Sequence, residues 1–173
     1  MTLEDRCRDI QLVLSDVDGV MTDGGVWFDN QAIETKKFHI RDGLGVKLWR
    51  RAGGQFGLLT GRTSHIVRVR ADELGIDIVR QGVEDKLAAA MQLCAELEIT
   101  PEQVCYLGDD LPDLPVLRAV GFGVTVADGC EEARQVADYV TNAAGGAGAV
   151  REAIEVILRA QGRWEDLIKK YTG

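Results

Sequence analysis

Short apolar runs alternate with segments of helical period along most of this chain. Residues 11–15 (Gln-Leu-Val-Leu-Ser) read as a buried strand, and residues 56–59, 104–107, 121–126 and 138–140 read as others, with 77–79 a short one. Between them, residues 44–52, 64–74, 84–97 and 131–137 carry helical patterns. In 84–97 the apolar positions Leu87, Ala90, Met91, Cys94 and Leu97 recur at three and four, as one buried helix face requires. Strands alternating with helices predict βαβ units, a mostly parallel sheet and ligand-binding loops along one sheet edge. One segment breaks the alternation. Residues 26–29 and 33–40 are β-rich and flank Asn30-Gln31, which predicts a hairpin at about 25–40, inserted after the first strand. A glycine-rich stretch, residues 143–148, precedes a helical pattern over 149–160. With no repeat and no linker, 1–173 reads as one domain.

Composition narrows the classes. The 173 residues are 46% hydrophobic, enough for a buried core, and the formal charge of −8 disfavours nucleic acid and anionic membranes as partners. No apolar run approaches a membrane span and the first residues lack a signal-like core, so a cytoplasmic location is expected. Cys7, Cys94, Cys105 and Cys130 are scattered and are expected to be reduced thiols. With two histidines and no cysteine cluster, any metal should be a hard ion on carboxylates.

Four features fall where strands are predicted to end. The first is Asp16-Val17-Asp18-Gly19; alone, two acids before a glycine also suit a turn. The second, Thr60-Gly61-Arg62, could by itself be a helix cap. Lys86 alone would read as a solvated lysine. The fourth, Gly108-Asp109-Asp110-Leu111-Pro112-Asp113, places three acids beside a buried strand, where solvation explains them poorly. Together they form a coherent set. Carboxylates crowded at one edge call for a cation, which suggests Mg²⁺, and a hydroxyl with an ammonium suits phosphate oxygens. This is what phosphoryl transfer needs.

The order Asp-x-Asp-Gly, Thr-Gly, Lys, Gly-Asp-Asp-x-x-Asp resembles the haloacid dehalogenase superfamily over nearly the whole chain, from Leu12 to about Ala160. The resemblance implies a Rossmann-like parallel α/β sheet flanked by helices. More narrowly, the stretch from Asp16 to Gly24, Arg41-Asp42-Gly43, Thr60-Gly61-Arg62, Gly108-Asp109-Asp110-Leu111 and the tail from Ala144 to Glu152 resemble the phosphatases of 3-deoxy-D-manno-octulosonate 8-phosphate, which serve lipopolysaccharide precursor synthesis. It implies Asp16 as the nucleophile forming an aspartyl-phosphate and Asp18 as acid and then base. Mg²⁺ would be held by Asp16, the Asp18 carbonyl and Asp109, with Asp110 or Asp113 orienting the shell. Thr60 and Lys86 would hold the phosphoryl oxygens. Gly61, Arg62 and Arg151 would face the substrate, with Arg62 opposite its carboxylate.

Many superfamily members insert a cap domain, and here the gaps between motifs leave room for only the hairpin, so the fold is expected to be capless. The resemblance implies a homotetramer whose hairpins pack together, with active sites near subunit interfaces and the glycine tail reaching toward a site. A truncation before Gly145 is accordingly expected to impair catalysis and leave the core folded. Two other readings stand beside this one. A nine-carbon, sialic-acid-type 9-phosphate phosphatase would share the scaffold, with an acidic residue able to stand where Arg62 stands. A receiver-type phosphoacceptor domain would place its paired acids first and a lone acceptor after the third strand, unlike this chain.

Overall fold

The computed structural model describes residues 2–172. In chain order the elements are α1 (Leu3–Cys7), β1 (Leu12–Ser15), β2 (Trp27–Phe28), β3 (Glu34–Thr35), α2 (Ile40–Arg51), β4 (Gln55–Leu59), α3 (His65–Leu74) and β5 (Ile78–Arg80). They continue with α4 (Lys86–Glu96), β6 (Val104–Gly108), α5 (Leu114–Ala119), β7 (Phe122–Thr125), α6 (Glu131–Val136), β8 (Tyr139–Val140), α7 (Ala149–Ala160) and α8 (Trp164–Thr172).

Six strands form one parallel sheet in the order β5-β4-β1-β6-β7-β8, and β2 and β3 form a separate antiparallel pair. The chain builds outward from β1 through β4 and β5, then crosses back to β6 on the other side. The reversal of strand order beside β1 is where loops diverge and leave a crevice at the carboxyl edge. The sheet is covered on both faces, so its strands are apolar throughout. Along β1, Val13 joins one buried cluster with α2, α3 and α7, while Leu12 and Leu14 join the other with α4, α5 and α6. No helix among the described residues is long and apolar enough to cross a membrane.

The predicted strands and helices are found with ends moved by at most four residues, α7 without any shift, and the hairpin is shorter than the pattern suggested. Residues 36–40 are not strand. His39 caps α2, its Nδ1 accepting from Arg41 N at 3.2 Å, and the helix begins at Ile40. Gly43 and Gly45, poor helix formers, obscured that start. Gly45 is small because Arg151 of α7 passes over it, at 3.0–3.1 Å from where a Cβ would stand. The short α1 and α5 and the terminal α8 were not anticipated.

The expectation about truncation is corrected. Ala149, Val150, Ala153, Ile154, Ile157 and Leu158 of α7 are fully buried in the cluster that also holds Val13 and Trp49. Removing everything from Gly145 onward therefore strips the core itself.

Candidate active site

The loop after β1 carries Asp16, which is 8% exposed, and Asp18. Buried Thr22 holds this loop together. Its hydroxyl accepts from Gly19 N at 3.3 Å and Gly24 N at 3.2 Å, and donates to Val17 O at 3.4 Å. Gly19 has φ +90°, and a Cβ there would lie 2.0 Å from Asp109 Oδ2, so a side chain would collide with the loop after β6. The glycine-rich turn braces the same loop from behind. Gly146 N donates to Val20 O at 2.9 Å, and a Cβ on Gly145 would stand 1.8 Å from Gly19 O. Gly145 N is itself tied to Asp128 Oδ1 at 2.8 Å.

Lys86 opens α4, whose start is set by Asp85 as the N-cap, accepting from Ala88 N at 2.9 Å. Its ammonium, nearly buried, donates to Asp16 Oδ2 at 2.7 Å and to Asp113 Oδ1 at 2.6 Å. Asp113 is fully saturated. Tyr106 OH donates to its Oδ1 at 2.5 Å, and Asp109 N and Asp110 N donate to its Oδ2 at 3.0 and 3.1 Å. These four donors make Asp113 the post on which the acidic loop is wound. Asp110 caps the following 3₁₀ turn, accepting from Leu111 N at 2.8 Å, and stands at the rim.

The charges are unbalanced. Burial pushes the Asp16 carboxyl up to about 6 against the pull of Lys86, with Asp113 adding to the rise. Asp109 is pushed up to about 7, first by burial and then by the Asp16 and Asp113 carboxylates. Burial works against the charge on Lys86, but Asp16 and Asp113 more than offset it, and its pKa is raised. One oxygen each of Asp16, Asp109 and Asp113 lie within 4.8 Å of one another, and buried Asp109 Oδ1 has no hydrogen-bond partner among the described residues. Buried carboxylates left this way fit a hard divalent cation.

Asp16, Asp18, Thr60, Gly61, Arg62, Lys86, Asp109, Asp110 and Asp113 line one cleft of about 360 Å³ at the carboxyl edge, together with Val83, Glu84 and Pro112. Arg151 does not join them. Its Nε pairs with Glu155 at 2.6 Å, its guanidinium lies 5.0 Å from the Trp164 ring, and it borders a different hollow beside Arg41 and Gly148. Within its own chain this arginine is a helix-surface residue whose backbone N donates to Asp42 Oδ1 at 2.8 Å. Sequence reasoning missed Tyr106 and two hairpin residues, Glu34 and Lys36. Lys36 pairs with Asp18 Oδ1, and Glu34 accepts from Arg62 at 2.8 Å and from the Ser64 hydroxyl at 2.5 Å. Their spacing of two, which in extended chain puts both on one side, was the available signal.

Comparison with known proteins agrees with this geometry. The family profile described as haloacid dehalogenase-like hydrolase matches residues 59–154. The chain is 44% identical over 160 residues to the 3-deoxy-D-manno-octulosonate 8-phosphate phosphatase of Yersinia pestis, covering 92% of this chain and 86% of that protein. It is 42% identical to the Escherichia coli K12 enzyme of the same name over 93% of this chain and 86% of that one. The structure of the Moraxella catarrhalis phosphatase of that name, in complex with magnesium, phosphate and 3-deoxy-D-manno-octulosonate, superimposes with a TM-score of 0.96 at 42% identity, over 98% of this chain and 97% of that one. The chain belongs to the haloacid dehalogenase-like hydrolases and is, among them, a phosphoric monoester hydrolase.

Proposed function

We propose that residues 1–173 form one cytoplasmic hydrolase unit that converts 3-deoxy-D-manno-octulosonate 8-phosphate to the free sugar acid and phosphate, in lipopolysaccharide precursor synthesis. The observation that carries this is the meeting, at one cleft, of Asp16 and Asp18 with Thr60, Lys86 and Asp109 from loops far apart in the chain. The relatives named above support the substrate.

An Asp16 carboxylate oxygen attacks phosphorus as the bond to the sugar oxygen breaks, and Asp18 gives its proton to that departing oxygen. The product is an aspartyl-phosphate on Asp16. Asp18, now a carboxylate, takes a proton from water as its oxygen attacks the same phosphorus, and phosphate leaves with Asp16 restored. Lys86 keeps the Asp16 carboxylate turned and charged, and with Thr60 it steadies the phosphoryl oxygens. Mg²⁺ is the cofactor, and when bound its charge lets a phosphate dianion approach a carboxylate. Asp16, Asp109 and the Asp18 carbonyl would hold it. Asp110 would orient that shell from the rim, and Asp113, its oxygens already occupied by four donors, would hold the loop in place. Gly61 lets the sugar approach the backbone, and Arg62 would meet the substrate carboxylate with its planar fork.

The deciding experiment compares phosphate release from the eight-carbon 8-phosphate, a nine-carbon ulosonate 9-phosphate and glucose 6-phosphate, with magnesium and with EDTA. A clear preference in kcat/KM for the first, abolished by EDTA, is the expected result. Preference for the nine-carbon ester would move the reading to a sialic-acid-type phosphatase, and the absence of catalytic release from all three would return it to a phosphoacceptor domain.

The assembly we propose is a homotetramer with active sites near subunit interfaces, in which neighbouring copies cover the cleft. Its support is the apolar surface of the hairpin and its flank, where Trp27, Phe28 and Ile33 are 57–63% exposed and Ile40 is 79% exposed. Sedimentation velocity is expected to give a species of four chains that Trp27→Ser with Phe28→Ser dissociates; a monomer at working concentration would remove the hairpin from this role.

A further inference from the structure

Lys36, just past β3, is an unusual hairpin residue: its side chain is 1% exposed in a hairpin whose strands lie on the surface. A buried ammonium persists only among anionic partners. Lys36 has two. It pairs with Asp18 Oδ1, and its Nζ lies 3.2 Å from Glu34 Oε1. Glu34 is anchored in turn to the loop after β4. Arg62 Nη2 donates to Oε1 at 2.8 Å and the Ser64 hydroxyl to Oε2 at 2.5 Å, and Ser64 N is fixed by Gln81 at 2.8 Å. The hydrogen bonds from Ser64, then Arg62 and Lys36, hold the Glu34 carboxyl below the usual carboxylate range. Asp18 Oδ2, by contrast, makes no hydrogen bond among the described residues, with Arg62 Nε 3.6 Å away.

We infer that Lys36 and Glu34 are positioning residues for Asp18: Lys36 grips one carboxylate oxygen so that the other faces the leaving group, and Glu34 fixes Lys36 against the β4 loop. The inference rests on the reading of Asp18 as the proton donor. It gives the hairpin a task inside its own subunit, apart from any assembly. Orientation matters because a proton donor acts only within hydrogen-bond reach of the atom it protonates.

A leaving-group series tests this. Aryl phosphates from 4-nitrophenyl to phenyl phosphate, with the sugar phosphate beside them, are compared by kcat/KM, which reports expulsion of the leaving group. The wild-type protein with magnesium, Lys36→Met, Glu34→Gln and Asp18→Asn are measured side by side. Nitrophenolate leaves without a proton, whereas phenolate gains from one. Lys36→Met is therefore expected to slow phenyl phosphate on the order of 10- to 100-fold more than nitrophenyl phosphate, a share of the 10²–10⁴-fold that a general acid supplies. Glu34→Gln should steepen the dependence less, and Lys36→Arg should restore most of it. An equal loss across the series would make the pair merely structural and overturn the inference, as would a loss confined to the sugar phosphate, which would make Lys36 a substrate contact. If Lys36→Met does not fold, Glu34→Gln carries the same test. If Asp18→Asn itself keeps the wild-type slope, the assignment of Asp18 as donor has failed. If Asp18→Asn steepens it and the hairpin variants do not, the inference alone has failed.

Discussion

Asp16→Asn is expected to lower kcat by at least about 10⁴-fold while leaving the fold intact, since replacing a covalent nucleophile commonly costs that much or more. The amide is nearly isosteric and can still accept from Lys86, but it is a far weaker nucleophile and carries no charge for a divalent ion. Removing a carboxyl that burial has pushed up to about 6 also removes a charge the fold tolerates poorly. Thermal unfolding without metal should therefore occur at the same or a higher temperature than in the wild type. Rapid quench with radiolabelled substrate should find no acid-stable phosphoprotein. Turnover within 10-fold of wild type, or a trapped phosphoprotein, would sink the nucleophile assignment.

Lys86→Met is expected to damage both fold and chemistry. Lys86 is the common partner of two buried carboxylates, on Asp16 and Asp113. Leaving buried charges without their partner costs about 3–5 kcal/mol, and turnover should fall on the order of 10³-fold as phosphoryl stabilisation is lost. The stability loss should depend on pH in a stated direction. Asp16 already has a folded pKa raised from 3.8 to about 6 with Lys86 opposing the rise, and removing Lys86 raises it further. A carboxyl raised in the folded state favours folding below its unfolded pKa, and that contribution is lost as pH rises through the folded value. Metal-free Lys86→Met should thus be weakest near pH 8 and recover on acidification toward pH 5.5. Melting temperatures across that range measure it, and a flat or opposite trend would show that the ammonium does not govern these carboxyls.

Much of the fold is legible because β1, β4, β6 and β7 are covered on both sides, so each appears as an unbroken apolar run. The loops after them are legible for a complementary reason: charged residues directly following a buried strand have few places to go except a strand-end crevice. What escaped was short or relational. The start of the helix at Ile40 was hidden by Gly43, whose smallness answers Arg70 and Leu74 of α3, and by Gly45, whose smallness answers Arg151 of α7, more than a hundred residues later. Lys36 and Glu34 look like ordinary hairpin charges until the hairpin folds back on the Thr60–Ser64 loop. Arg151 is the converse case: a motif-like position in a glycine-rich tail suggested a substrate contact, and within its own chain its side chain lies on Glu155 and Trp164, outside the cleft.

The brace on the loop that carries Asp16 has a consequence for the birth of the protein. Synthesis runs from the amino end, so Asp16 leaves the ribosome long before Gly145 and Gly146, whose backbone must lie against Gly19 and Thr22 for the loop to be seated. A nascent chain stopped anywhere in between carries the acids without the turn that shapes them. The loop is therefore seated only once the Gly145–Gly146 turn has been made, and a product that ends before it lacks the brace altogether.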